Sequence, residues 1–177
     1  ENVKQRVGIF DNTEGVFFEY DNTTIYIVSR KDSVDTRVAQ TSWNMDKLDG
    51  HGRSYETLDL TKAQALVIDH EGSSIARIRF GVMIGGKTCY VHELAGGNVL
   101  TGGYTNVLQL PLRAEIYNSG TSASTTDLTV FGCTFECEAE VTPESHAHAV
   151  HRGYRGVAVS TKSLSGITDY LPDNLVI

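Results

Sequence analysis

Apolar and polar residues alternate with a period of two in three stretches of the chain, the pattern of half-buried β-strands. The clearest runs through Ile78, Phe80, Val82 and Ile84, with Arg77, Arg79 and Met83 facing the other way, and stops at Gly85-Gly86. A glycine pair after such a run predicts a tight hairpin. Thr88 to Leu94 then returns antiparallel, with Cys89 and Val91 on one face and Tyr90 and His92 on the other. A second alternation sets Leu108, Leu110, Leu112, Ala114 and Ile116 against Gln109, Pro111, Arg113, Glu115 and Tyr117. Proline cannot donate to a ladder, so an edge or bulge is expected at Pro111. The third sets Phe131, Cys133, Phe135 and Cys137 against Thr134, Glu136 and Glu138, giving one apolar and one acidic face.

Nearer the N-terminus, Val16 to Tyr20 and Thr24 to Ser29 flank Asp21-Asn22, two residues that tolerate tight-turn dihedrals, and predict another hairpin. Residues 42 to 54 carry Asn44, Asp49, Gly50 and Gly52 without periodicity and read as a long ordered loop anchored by Trp43. Residues 61 to 69 mix helical and strand propensity, and the surrounding strands favour a strand after a short turn. Six or more short antiparallel strands without helical spacers predict an all-β protein, an antiparallel two-layer β-sandwich or jelly roll. Ile78, Phe80, Val82, Leu110, Leu112, Ile116, Phe131 and Phe135 are its expected interior. The sandwich spans residues 1 to 140. Residues 141 to 177, where alternation weakens, form an arm or additional strands.

Composition narrows the class. Seventeen Gly against 3 Pro favour strands joined by glycine turns. The formal charge of -7, with no run of Lys or Arg, argues against a nucleic-acid partner. Charges break every apolar stretch well short of the roughly 20 residues of a membrane helix, so no membrane partner is expected. The start at Glu1 without Met is compatible with a portion of a longer protein. Cys133 and Cys137, four apart on a strand, lie roughly 13 Å from each other, too far for a disulfide. With Cys89 they read as reduced thiols.

Candidate chemistry is sparse. His146, His148 and His151 form the densest set of possible metal ligands, but the carboxylate that a cupin-like metal motif requires does not follow them. No nucleophile elbow, phosphate loop or EF-hand spacing is present. Asp46, Asp49, Asp59 and Asp69 could supply carboxylates for calcium, but their spacing is not that of an EF-hand loop, and Asp59 and Asp69 are expected to cap turns. Neither enzymatic activity nor a cofactor is expected. Trp43, Tyr55, Tyr104 and Tyr117 fall in loops or on the polar face of a strand, as aromatics at interfaces and sugar-binding surfaces do; partial burial in the core is the plainer alternative. In the terminal arm, Leu164, Ile167 and Leu171 are irregularly spaced apolar anchors suited to a neighbouring surface. An Asn22-Thr23-Thr24 sequon is present.

Three segments, RVGIFDNTEGVFFEY at 6 to 20, IARIRFGVMIGGKTCYVHEL at 75 to 94 and LQLPLRAEIYNSGT at 108 to 121, together with SWNMDKLDG at 42 to 50, carry a resemblance. In this order they resemble a β-rich domain of virion structural proteins of tailed bacteriophages. The chain departs from that pattern at Gly72-Ser73-Ser74, where a bulky apolar residue is usual. The resemblance implies a non-enzymatic assembly module, made in the host cytoplasm and displayed in many copies on the capsid or tail. Its implied partners are copies of itself and other virion proteins. The alternative is a host-recognition module that binds a surface glycan.

Overall fold

The computed structural model describes residues 3–71, 75–107, 109–120, 127–135 and 152–155. Its strands are β1 (Val3–Phe10), β2 (Gly15–Tyr20), β3 (Ile25–Lys31), β4 (Val34–Ala39), β5 (Leu66–His70), β6 (Ile78–Ile84), β7 (Lys87–Leu94), β8 (Leu112–Asn118), β9 (Gly132–Phe135) and β10 (Arg152–Arg155). Among the described residues the helical content is one 3-10 turn, Gln40–Ser42. Strands β1 to β4 form an antiparallel meander, and β8 returns to the far side of β1, giving the order β4-β3-β2-β1-β8. Strands β5, β6 and β7 make a second antiparallel sheet, and β9 pairs with β10. One strand within residues 141 to 177 thus pairs back onto its own chain.

The two larger sheets pack face to face because each presents an apolar face to the other at period two. Val16, Phe18, Ile25 and Ile27 of the five-stranded sheet meet Ile78, Phe80, Val82 and Val91 of the three-stranded one. Phe18 and Phe80 touch edge to face, centroids 5.4 Å apart. Each such side chain contributes about 1.5–3 kcal/mol by leaving water. The smaller sheet covers the β2-β3-β4 side of the larger, and Trp43 and Leu48 close the core from the connecting loop.

This imbalance corrects part of the expected interior. Ile78, Phe80, Val82 and Leu110 are buried, and Leu112 is half-buried. Ile116, however, is 44% exposed. It pairs with Gln5 on the interior-side face of edge strand β8, beyond the margin of the smaller sheet. Phe131 is 77% exposed, because it precedes a four-residue strand whose ladder is with β10 and not with either layer. The side chain of Phe135, and Leu108 and Cys137 entirely, lie outside the described residues.

The turns follow local chemistry. Gly85 and Gly86 both have positive φ (58° and 78°) and form a two-residue hairpin loop between Ile84 and Lys87, a geometry that side chains resist. The tripeptide Asp-Asn-Thr occurs twice, at 11 to 13 and 21 to 23, and closes both flanks of β2. In each, the aspartate Oδ1 accepts the Thr N–H, the Thr hydroxyl and the next N–H, at 2.7–2.9 Å for Asp11 and 2.9–3.3 Å for Asp21. Strand β8 starts directly after Pro111, whose carbonyl accepts the Phe10 N–H at 3.0 Å.

Strand β7 corrects an expectation about facing. Phe80 pairs with His92 while Gly81 pairs with Tyr90, so Val91 is an extra residue in the strand. Such a bulge shifts the phase of the alternation. His92 therefore faces the core with Phe80, Cys89 does so with Val82, and His92 is buried.

Candidate functional site

Residues paired across a ladder share a face. The pairs Arg6↔Glu19, Arg6↔Glu115, Arg30↔Asp35 and Lys4↔Tyr117 therefore place these side chains together on the outer face of the five-stranded sheet. This face has an apolar floor. Phe10, Phe17 and Val28 are buried there, with Tyr26 packed against them. Guanidinium groups form the roof: Arg30 lies 5.0 Å from the Phe17 centroid, Arg37 3.9 Å from Tyr26, Arg113 5.3 Å from Phe10 and Arg6 4.3 Å from Tyr117. Arginine suits the role because its planar, weakly hydrated cation stacks on rings while its edge still donates hydrogen bonds.

Carboxylates complete the layer. Glu19 is fully buried and meets three cations: Arg6 Nε at 2.7 Å, Arg37 Nη2 at 2.5 Å and Lys4 Nζ at 3.4 Å. Its Oε1 holds the Arg37 and Lys4 ion pairs without a well-angled hydrogen bond. Arg6 continues to Glu115 Oε1 at 3.1 Å, and Glu115 Oε2 pairs with Arg113. Arg30 grips Asp35 with two bonds, 2.6 and 3.0 Å, and donates to the Asp11 carbonyl at 2.9 Å. Burial opposes ionisation of Asp35, but the Arg30 hydrogen bonds and charge outweigh it and hold the carboxyl below its ordinary range.

Between these groups a cleft of about 400 Å³ opens, reaching from Tyr117 to the turn residues Asn12 and Ser33. The turns are fastened together at this end. Ser33 N–H donates to the Thr13 carbonyl at 2.8 Å, and buried Glu14 accepts the N–H groups of Asp32 and Asn106 at 3.2 and 3.0 Å. A pre-set polar cleft of this kind can bind a small polar ligand without first ordering its own walls.

On the opposite sheet, the loop after the 3-10 turn docks onto the edge of β7. The Val91 carbonyl, freed by the bulge, accepts the N–H groups of both Met45 and Asp46 at 3.1 Å. The Asn44 side chain exchanges two 2.8 Å bonds with the Glu93 backbone, and its own N–H donates to His92 Nδ1 at 3.2 Å. Burial pushes the His92 pKa down. Buried Asp46 organises the loop, accepting the N–H groups of Leu48 and Ser54 at 2.9 and 2.8 Å.

The aromatic candidates separate. Trp43 is 3% exposed and donates its indole N–H to the Val38 carbonyl at 3.3 Å; it anchors the loop as expected but offers no surface. Tyr104 packs on the core, with its hydroxyl on the Ala95 carbonyl at 2.6 Å. Tyr55 is 82% exposed, and Tyr117, 42% exposed, borders the cleft. Leu164, Ile167, Leu171 and the histidines at 146, 148 and 151 lie outside the described residues. Asp59 caps a turn through Thr61, whose two bonds and the adjacent Lys62 lower its pKa to about 2. Asp69 does not cap one: it lies inside β5 and binds Arg79 Nε at 3.1 Å and the Tyr90 hydroxyl at 3.1 Å. Among the described residues no three His, Cys, Asp or Glu side chains gather where they could hold a metal. Cys89 and Cys133 are free thiols.

Sequence reasoning missed Arg6, Arg30, Asp35, Arg113 and Glu115. The available signal was Glu19 following the apolar run Val16-Phe17-Phe18 in β2. No protein-family model, curated protein or solved structure matches this chain.

Proposed function

We propose that the chain is a structural module of a virus particle, packing against copies of itself and against other particle proteins. The resemblance noted in the sequence supports this reading. Its segments map onto the β1-β2 hairpin, the loop docked on β7, the β6-β7 hairpin and edge strand β8. The observation that carries the proposal is exposed apolar surface: Ile116, on edge strand β8 beyond the smaller sheet, and Phe131, ahead of β9, are 44% and 77% exposed. Large exposed apolar side chains beside a sheet margin are the usual material of subunit contacts.

Sedimentation velocity across a wide concentration range tests it. The expected result is reversible association that weakens at least tenfold in the Ile116→Ser, Phe131→Ser double variant, with an unchanged circular dichroism spectrum. A chain that stays monomeric throughout, or a variant that associates as tightly as the parent, would overturn the proposal.

A further inference from the structure

The geometry points to the outer-face cleft, between Arg30-Asp35 and Arg113-Glu115 with Asn12 and Tyr117 at its rim, as a binding site for a saccharide. The walls alternate donors and acceptors. Arg30 is spent on Asp35 in a two-bond grip, and Arg113 joins Asn12 Oδ1 at 2.7 Å to Glu115. A carboxylate offers about four lone-pair sites and a guanidinium five N–H donors, so each pair keeps capacity after binding its neighbour. Adjacent donors and acceptors of this kind complement vicinal hydroxyls, each of which gives and takes one hydrogen bond.

A bare anion fits less well, because every guanidinium in the cleft already faces a carboxylate and an anion would have to compete with it. The volume of about 400 Å³ suits a small-molecule ligand. The three lining arginines (Arg6, Arg30, Arg113) are matched by three carboxylates, Asp35 and Glu115 in the lining and buried Glu19 against Arg6. This site does not depend on the assembly reading, whose test is sedimentation.

Arginine Nε–H resonances report on the cleft directly. The full chain is titrated with methyl galactoside, with glucuronate and with inorganic phosphate, each to about 50 mM, a range that covers millimolar affinities. The expected result is saturable shifts of Arg30 and Arg113 with both sugars, and at least tenfold weakening in Asn12→Ala and in Arg113→Gln. Core methyl spectra confirm that these variants keep their fold. Three results would overturn the proposal: no saturable shift with either sugar, sugar shifts undiminished in both variants, or phosphate shifting the same resonances as glucuronate while the galactoside shifts none.

Discussion

Glu19 occupies a position on the outer face of a strand that would ordinarily meet water, yet it is fully buried beneath Lys4, Arg6 and Arg37. A buried ion group is poor evidence of net stabilisation, but removing one member leaves the others uncompensated in a dry site. Glu19→Ala should therefore cost about 3–5 kcal/mol in equilibrium denaturant unfolding. A loss under about 1 kcal/mol would mean that water reaches the cations after all. Asp35 adds a pH dependence of definite sign. Its folded pKa lies below the ordinary 3.8, so its contribution is complete above that value. It is lost as the pH falls through the lower, folded pKa. Stability should drop on acidification below about pH 4, and drop less in Asp35→Asn.

The β7 bulge shows how one inserted residue changes the role of a whole element. It turns His92 into the core, frees the Val91 carbonyl and so creates the edge on which the Trp43 loop docks. With Nδ1 accepting the Asn44 N–H, the ring is required neutral there. Its folded pKa lies below 6.5, so the unfolded chain takes up a proton first as the pH falls through 6.5, and stability declines from there downward. Protection of the Met45 and Asp46 amides, measured by hydrogen exchange, should fall over the same window, and His92→Gln should flatten that dependence. The same loop is intolerant at Gly52, where an added Cβ would lie 2.0 Å from Asp46 Oδ1. Gly52→Ala should lower stability by roughly 1–3 kcal/mol, read as a shift in the denaturation midpoint. Strands with clean alternation, such as Ile78 to Ile84, were legible from the sequence, and so was the glycine turn after them. The bulge was not, since an extra residue in one strand is set by its partner's register. Strand β1 escaped period-two reading because Arg6 and Gly8 share a face with Phe10, and the cleft escaped because its parts come from β1, β3, β4, β8 and two turns.

Across the whole molecule, the large sheet is closed by its most distant partners, for Val3 pairs with Asn118 while β1 to β4 pair with sequence neighbours. Closing that long loop costs entropy before any contact repays it, so β8 should join late. Ala114→Gly, opposite Val7, should speed unfolding and leave the folding rate nearly unchanged, whereas Val28→Ala should slow folding. Stopped-flow chevrons separate the two, and a folding rate equally sensitive to both would place β8 in the nucleus. The same closure bears on synthesis. Between the end of β1 at Phe10 and the start of β8 at Leu112, a ribosome adding about 5–20 residues per second spends on the order of 5–20 s. Throughout that interval the nascent meander carries an open edge on β1, a ready template for a neighbouring chain on the same message. Strand β1 bears Lys4 and Arg6 in its first half, and charges on an exposed edge are how sheets discourage such pairing. The residues that later roof the outer face thus also guard the unfinished chain while it waits for its fifth strand.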